Sequence, residues 1–373
     1  MKFLFIFLTV WMIPKGTPSD TTSHSSDFEG KGTITMLQSP MQGWEFDVAC
    51  GKCPKGSYVE WDMAFTAGPK APELYVTEYM DGGKWVVADT VVCTRTAKST
   101  KETTTVVSTL RLSHKIKGAV KLRIRAVSPG EGTFHFVKSD NVAARVAVLG
   151  NVPPKDSIKL LCIGNSFTYV SNASWMLKAL AWSQGHYIDM HDALKGGQTF
   201  GQHLALSVTD YEISRGGYDY AFLQNQSQTN AWYAQKKDPQ LMDDCKALAA
   251  KVRAASSEVS LILESTWSYP GRECGGFGTL EEFDRLLDEG TAAMAREVGG
   301  TVSYIGQAFA RCRSQYPEID LYAADRKHQS EYGSYLKACV NYRLLFGEPL
   351  PENAPSLGLD PKKTAALARV AAQ

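Results

Sequence analysis

Four short apolar runs alternate with helical stretches in the second half of the chain, and this alternation constrains the fold most. The runs are Ile158–Ile163, Tyr218–Leu223, Val259–Leu263 and Val302–Ile305, with a shorter candidate at Tyr187–His191. Helical stretches lie near residues 172–184, 239–254, 280–297 and 333–345. Strands that are apolar throughout and alternate with helices are typical of a parallel sheet covered on both faces. We therefore predict an α/β domain over residues 151–373, with its chemistry beyond the carboxyl ends of the strands.

The preceding segment, residues 31–150, has a different pattern. Apolar and polar residues alternate in Tyr58–Met63, Leu74–Tyr79, Lys84–Asp89 and Val120–Arg125. Glycine and proline turns separate these segments, and such a pattern is typical of antiparallel strands with one solvated face. We predict an all-β sandwich, jelly-roll-like, as an accessory domain. Residues 152–156 are predicted to form the hinge that follows it.

The first residues have the pattern of a targeting segment. Lys2 precedes an almost wholly apolar run from Phe3 to Ile13, and small and polar residues follow. This pattern predicts a signal peptide over residues 1–19 and a polar linker over residues 20–30. The alternative is a buried N-terminal strand. A signal peptide would place the protein outside the cytoplasm, in the periplasm or the extracellular space.

Composition excludes several classes of function. The chain has 40 Lys+Arg and 39 Asp+Glu, a formal charge of +1, and no basic run, so we predict no nucleic-acid partner. No apolar stretch is long enough to span a bilayer, which requires about 20 residues. Cys50 and Cys53 have the spacing of half a zinc site, but no second half follows. We therefore predict neither a metal nor a cofactor; the pairing of the eight cysteines stays open.

Two of the predicted strand-end and loop segments carry a serine, an aspartate and a histidine that can act together. Ser166 follows the run Leu160–Gly164 after one intervening residue and precedes a helix, where a hydroxyl can be exposed above the sheet. By itself, Ser166 is more typical of a helix N-cap than of a nucleophile. Asp325 and His328 share one loop near the other end of the chain. Their spacing allows the carboxylate to hold one imidazole nitrogen while the other faces outward, as in a Ser-His-Asp arrangement.

Taken together, these residues resemble the SGNH (GDSL-like) hydrolases, in a branch associated with bacterial polysaccharide degradation. Gly164-Asn165-Ser166 is similar to the first block of that family, with Asn in place of Asp. Asp325 and His328 match its last block, Asp-x-x-His. The resemblance covers about residues 158–346. It implies a flavodoxin-like three-layer αβα sandwich and a catalytic triad of Ser166, His328 and Asp325.

The resemblance also implies an oxyanion hole. The Ser166 N–H would supply one donor. Lys195-Gly196-Gly197 resembles the second block of the family, in which a glycine N–H is a donor; Gly197 is the predicted residue and Gly196 the alternative. The third block departs from the family pattern, because Gln224-Asn225-Gln226 stands where Gly-x-Asn-Asp is expected. Gln226 is the predicted third donor, and Asn225 is the alternative.

Aromatic and amide side chains near the strand ends indicate the substrate. Trp267, Trp232 and Asn225 are predicted to bind a sugar that carries a small acyl group; ordinary core packing is the alternative for both tryptophans. The sequence thus predicts an exported esterase that removes acetyl or other small acyl groups from an oligo- or polysaccharide. The alternatives are an enzyme for lipid or other acyl esters and a catalytically silent carbohydrate-binding protein. Acyl-chain preference would distinguish a lipid or other acyl esterase from the predicted carbohydrate esterase. Absence of hydrolysis would distinguish a binding protein from both enzymes.

Overall fold

The computed structural model describes residues 155–373 throughout and part of the chain before them. The described N-terminal residues are 7–10, 32–37, 43–53, 55, 58–67, 72–92, 102–111, 113–127, 134–136 and 144–150. The chain divides into two compact units, Met1–Pro153 and Pro154–Gln373. The division lies inside the predicted hinge. The predicted linker, residues 20–30, lies outside the described residues.

The described strands of the first unit form two antiparallel sheets. In chain order they are β1 Phe7–Val10, β2 Gly32–Leu37, β3 Gly43–Cys53, β4 Tyr58–Ala67, β5 Leu74–Asp81, β6 Lys84–Val92, β7 Glu102–Arg111, β8 Ile116–Ala126, β9 Phe134–Phe136 and β10 Ala144–Gly150. One sheet has the order β1-β10-β4-β7, with β9 beside β4, and the other has the order β2-β3-β8-β5-β6. The antiparallel strands predicted from the alternating pattern are therefore present. A sandwich of the two sheets stays a prediction.

Two local features of this unit follow from its sequence. Gly82 and Gly83, with φ of 58° and 82°, form the tight turn between β5 and β6, a backbone conformation that glycine adopts without strain. Strand β1 lies within the predicted signal peptide and pairs with β10. The signal peptide itself stays a prediction.

The second unit is built on a five-stranded parallel sheet. Its strands are β11 Asp156–Gly164, β12 His186–Leu194, β13 Tyr220–Leu223, β14 Ser260–Ser265 and β15 Thr301–Tyr304. Their order is β12-β11-β13-β14-β15, and all neighbours are parallel. This is the flavodoxin-like order, in which the chain reverses its direction of progress beside the first strand. The predicted parallel sheet is confirmed.

Helices follow or separate these strands. They are α1 Ser166–Tyr169, α2 Ala173–Ser183, α3 Phe200–His203, α4 Ser207–Ser214, α5 Thr229–Lys236, α6 Pro239–Ala255, α7 Gly271–Gly276, α8 Leu280–Glu297, α9 Ile305–Gln315, α10 Glu331–Phe346 and α11 Pro361–Ala372. A short 3₁₀ turn, Val170–Asn172, joins α1 to α2. No helix among the described residues is long and apolar enough to cross a membrane.

Alternate residues of the central strands supply two separate cores. Leu160 and Cys162 of β11 belong to one cluster, which includes buried residues of α2, α9, α10 and α11. Leu161 and Ile163 belong to the other, which includes buried residues of α4 and α6. Successive side chains of a strand point to opposite faces, so the two clusters lie on the two faces of the sheet. Helices therefore cover both faces, in agreement with the predicted three layers.

Candidate active site

The carboxyl end of β11 carries the candidate nucleophile. The strand ends at Gly164, Asn165 is the N-cap, and Ser166 is the first residue of α1. Gly164 has no room for a side chain, because a Cβ there would lie 2.7 Å from Thr168 Oγ1. The close approach of this hydroxyl to the strand end therefore requires glycine. The sharp transition from strand to helix leaves Ser166 half-buried at the carboxyl end of the sheet, where ligands bind in open parallel sheets.

Three residues separated in sequence meet at Ser166. His328 Nε2 lies 2.7 Å from Ser166 Oγ, and His328 Nδ1 lies 2.5 Å from Asp325 Oδ2. The imidazole is thus placed between a hydroxyl and a carboxylate, with each ring nitrogen facing one of them. In this geometry His328 can take the proton of Ser166 through Nε2 while Asp325 holds the proton on Nδ1.

Asp325 also shapes the loop that carries His328. Its Oδ1 accepts hydrogen bonds from the backbone N–H groups of Lys327 (3.0 Å) and His328 (2.9 Å), whereas Oδ2 faces the ring. Partial burial raises the pKa of Asp325, but the hydrogen bonds from His328 and the two N–H groups outweigh it, so its pKa lies below the usual value. Asp325 is therefore ionised at neutral pH, as an imidazolium-stabilising group must be.

Asn165 joins the nucleophile to the two neighbouring loops. Its Oδ1 accepts from the Phe167 N–H at 3.2 Å, the N-cap interaction of α1. Its Nδ2 donates to the backbone oxygens of Gln198 and Asn225, each at 3.1 Å. The sequence analysis noted that Asn replaces Asp here but assigned it no role. An amide both accepts and donates, so one side chain connects three strand-end loops.

The second loop, after β12, contains both glycines considered for the oxyanion hole. Gly197 has φ of 73° and is exposed, and no atom lies within 4 Å of a Cβ placed on it. A Cβ on Gly196 would lie 2.9 Å from the Tyr169 hydroxyl. Glycine is therefore favoured at 197 by backbone conformation and at 196 by a close contact. The donor role predicted for Gly197 stays a prediction.

The third loop holds the two amides that the sequence analysis could not separate. Asn225 is 3% exposed; its Nδ2 donates to Asn230 Oδ1 (2.9 Å), and its Oδ1 accepts from the N–H groups of Phe200 (3.1 Å) and Gln226 (3.0 Å). Gln226 is half-buried, and its Oε1 accepts from the Gln228 N–H at 2.9 Å. Asn225 thus stabilises the loop through buried hydrogen bonds. Its predicted contact with substrate has no support in this position.

Trp267 has a different position from the one predicted for a substrate platform. It has no exposed surface, and its ring stacks between Phe167 and Phe309, with centroids 4.5 Å from each. Its Nε1 donates to the backbone oxygen of Lys327 at 3.1 Å. The predicted role in sugar binding is therefore corrected, because a fully buried ring offers no face to a ligand. Trp267 instead packs against Phe167, which directly follows Ser166, and donates to Lys327, which directly precedes His328.

A cavity of about 600 Å³ adjoins the triad at Asp325. Its lining residues are Gln228, Tyr269, Gly271, Gly275, Gly276, Asp325 and Lys327. The Lys327 ammonium lies 5.3 Å from the centre of the Tyr269 ring. Trp232 is half-buried against Phe277, with ring centroids 4.5 Å apart, and is not among the lining residues. Of these lining residues, the sequence analysis identified Asp325 alone.

His203 is a buried residue that the sequence analysis did not identify. Its Nε2 lies 3.0 Å from the backbone oxygen of Gly164, and its Nδ1 lies 2.9 Å from Thr209 Oγ1. Burial lowers the pKa of His203 to about 4, so the ring is neutral at physiological pH. Nε2 then donates to Gly164 and Nδ1 accepts from Thr209. The strand end before Ser166 is thereby held by a neutral imidazole.

The chain was compared with known proteins in three ways. A scan against protein-family models and a search of curated proteins both find no match. Among solved structures, the chain is similar to a DUF4886 family protein from Bacteroides uniformis, with 19% identity and a TM-score of 0.50, covering 58% of this chain and 93% of that one.

Two further structures have lower scores. A candidate SGNH hydrolase from Slackia heliotrinireducens has 22% identity and a TM-score of 0.41, covering 51% of this chain and 99% of that one. An acetyl xylan esterase from the rumen bacterium Butyrivibrio proteoclasticus has 12% identity and a TM-score of 0.37, covering 87% and 99%. Identities this low establish fold and not activity. The likeness to the Bacteroides uniformis protein, at a TM-score of 0.50, concerns the fold alone.

Proposed function

We propose that the protein is an exported serine esterase that removes small acyl groups from carbohydrate. The observation that supports this most is the placement of His328 between Ser166 Oγ (2.7 Å) and Asp325 Oδ2 (2.5 Å). The distance of 2.7 Å between Ser166 Oγ and His328 Nε2 is within the range that proton transfer between nucleophile and base requires.

The proposed reaction proceeds through an acyl-enzyme. Ser166 Oγ attacks the ester carbonyl while His328 Nε2 takes its proton, and Asp325 stabilises the resulting imidazolium. His328 then returns the proton to the departing sugar hydroxyl. In the second half, water attacks the acyl-enzyme while His328 Nε2 takes its proton, and His328 then returns that proton to Ser166 Oγ as the acid leaves.

The oxyanion formed in each half needs hydrogen-bond donors. The Ser166 N–H, the Gly197 N–H and the Gln226 side-chain amide are the proposed donors. Gln226 Nε2 donates one hydrogen to Ser227 Oγ at 3.2 Å and carries a second hydrogen, which we assign to the oxyanion. Loss of one such donor lowers kcat by about 10²–10³-fold in other acyl-transfer enzymes.

The surroundings of the triad favour a polar substrate. The cavity beside Asp325 is lined by glycines, an amide, a tyrosine and a lysine, groups that suit hydroxyl-rich rings better than hydrocarbon. Within residues 155–373, Tyr304 is the exposed large hydrophobic side chain. A long acyl chain needs an extended apolar surface, which a single exposed tyrosine does not supply. We propose the cavity as the site for the sugar and an acetyl group as the acyl part.

The test is acetate release from a panel of acetylated polysaccharides and from a short-chain aryl ester. We expect the wild-type protein to hydrolyse both substrate types and Ser166→Ala to be inactive while keeping the wild-type melting temperature. A parallel series of aryl esters with longer acyl chains should show falling kcat/KM. Equal activity of Ser166→Ala would refute the assignment of the nucleophile. A preference for long chains would instead indicate a lipid esterase, and folded but inactive wild-type protein would indicate a binding role.

A further inference from the structure

A buried ion pair lies close to the helix that carries Ser166. Lys337 of α10 and Glu264 of β14 are 4% and 2% exposed, and Lys337 Nζ lies 2.7 Å from Glu264 Oε2. Asn341 donates to the other carboxylate oxygen at 2.8 Å, and Ser303 in turn donates to Asn341 at 2.7 Å. Removing two charges from water offsets most of their attraction, so a buried pair is poor evidence for a purely stabilising role.

The ion pair continues into the nucleophile helix. Lys337 Nζ also donates to the backbone oxygen of Phe167 at 3.1 Å. That oxygen receives a second hydrogen bond, from Gln329 Nε2 at 3.2 Å. The last carbonyl groups of a helix have no partner within the helix, so a four-residue helix such as α1 depends on outside donors.

Gln329 connects this helix to the catalytic histidine. It directly follows His328 in the chain, has no exposed surface, and donates from Nε2 to the Val170 oxygen at 2.7 Å as well as to Phe167. The Gln329 backbone oxygen accepts from Ser171 Oγ at 2.9 Å. The side-chain oxygen of Gln329, Oε1, has no hydrogen-bond partner among the described residues, so this side chain acts on the helix as a donor.

We propose that Gln329 and Lys337 are positioning residues that hold Ser166 and His328 at reacting distance. This inference rests on the proposed esterase function. Gln329 joins the backbone next to His328 to the helix of Ser166, and Lys337 anchors the same helix to the sheet through Glu264. A displacement of about 1 Å between reacting groups lowers rates by about 10²-fold. Loss of either donor should therefore lower kcat without changing how substrate binds.

The test compares two variants with a matched control. Gln329→Met keeps the side-chain length but removes the donor. Lys337→Met alone would leave the Glu264 carboxylate buried and unpaired, so it is combined with Glu264→Gln, which keeps the site neutral. Ser303→Ala is the control, because it removes one hydrogen bond of the same network at a point that does not contact α1. Each protein is assayed for kcat and KM on an aryl acetate.

A second readout does not depend on the natural substrate. A fluorophosphonate reacts with an activated serine as Ser166 Oγ displaces fluoride and His328 takes the proton. We expect kcat and the labelling rate of Gln329→Met and of the double variant to fall by about 10²-fold, with KM and folding retained. Ser303→Ala should keep the wild-type kcat and labelling rate even if its melting temperature drops.

The outcomes separate this inference from the proposed function. Wild-type kcat and labelling in both test variants would overturn the positioning role while leaving the esterase intact. An equal fall in Ser303→Ala would also overturn it, because the effect would then follow stability alone. Wild-type protein that is labelled but cleaves no ester would refute the substrate class only, and the labelling rates would still decide the inference. Wild-type protein that neither cleaves nor reacts would refute both.

Discussion

The side-chain nitrogen of Asn165 donates a hydrogen bond to the backbone oxygen of Asn225 at 3.1 Å. A second bond from the same nitrogen reaches the Gln198 oxygen, also at 3.1 Å. The family that this segment resembles has Asp at this position of its first block. A carboxylate could accept from the Phe167 N–H, as Asn165 does, but could not donate to either oxygen. The asparagine is therefore matched to the loops around it.

Asn165→Asp should destabilise the protein. The substitution places a buried carboxylate against two backbone oxygens, at a cost of about 1–3 kcal/mol for each group left without its partner. Urea denaturation at pH 7 measures the loss. Asn353→Asp, at an exposed position, is the matched control and should be close to neutral. A stability of Asn165→Asp equal to that of the control would show that the two hydrogen bonds carry little weight.

Asp325→Asn should lower kcat strongly with little change in KM. The amide can no longer hold the His328 proton on Nδ1 or stabilise the imidazolium, a loss of up to about 10⁴-fold. Asp320→Asn is the control, because Asp320 lies on the same loop, is mostly exposed and pairs with Arg326 at 2.7 Å. Hydrolysis of an aryl acetate measures both. A comparable loss in Asp320→Asn would assign the effect to loop structure.

Gly196→Ala and Gly197→Ala should each lower kcat, but for different reasons. The first creates a contact with the Tyr169 hydroxyl, and the second places alanine at φ of 73°, which costs about 1–2 kcal/mol. Adding Tyr169→Phe should therefore restore activity to Gly196→Ala but not to Gly197→Ala. Measured kcat of the two double variants checks this. Rescue of both, or of neither, would contradict these separate causes.

Trp267→Phe should affect stability and kcat but not KM. The smaller ring loses the stacking area and the hydrogen bond to the Lys327 oxygen, and we expect a loss of about 1–3 kcal/mol in the free energy of unfolding. Trp232→Phe, at a half-buried position, is the companion variant. The kcat and KM of both variants on an acetylated oligosaccharide separate a role in core packing from a role in sugar binding. A raised KM in Trp267→Phe would restore its role in sugar binding.

His203 should make the protein less stable in acid. Its pKa is lowered by burial from 6.5 to about 4, so the unfolded chain takes up a proton at a higher pH than the folded protein. The stabilising contribution is fully present above pH 6.5 and is lost progressively as the pH falls to about 4. A shift of this size corresponds to about 3 kcal/mol.

His203→Gln isolates this contribution. Glutamine can donate to the Gly164 oxygen and accept from Thr209, but it does not titrate. Denaturation midpoints between pH 7 and pH 4 should therefore fall less steeply for the variant than for wild type. Parallel slopes would exclude His203 as a source of acid sensitivity.

Features that depend on residues close together in the chain were predictable from the sequence. The run Ile158–Ile163 lies within strand β11, Asp156–Gly164, and it was recognisable because a strand buried on both faces is apolar at most positions. Asp325 and His328 are three residues apart, so the same turn that the carboxylate stabilises also presents the ring to it. Their pairing needs no distant part of the chain.

Roles that depend on distant contacts were not predictable. Trp267 is an aromatic residue after a strand, and this pattern is the same for a sugar platform and for a core side chain. Trp267 is a core side chain because Phe167 and Phe309 stack on its two faces. Gln226 and Asn225 are adjacent amides with similar chemistry, and only the contact of Asn225 with Asn230 and the Phe200 N–H distinguishes them.

The sequence by itself determined the five strands of the second unit, its helices α2, α6, α8 and α10, and the loop that presents His328, because periodicity and turn chemistry act over a few residues. The tertiary structure decided which polar groups support the site. Asn165 contacts a residue 60 positions away, and Lys337 contacts Phe167 across 170 positions. A buried polar group needs a partner wherever the fold places one, and no local pattern specifies that partner.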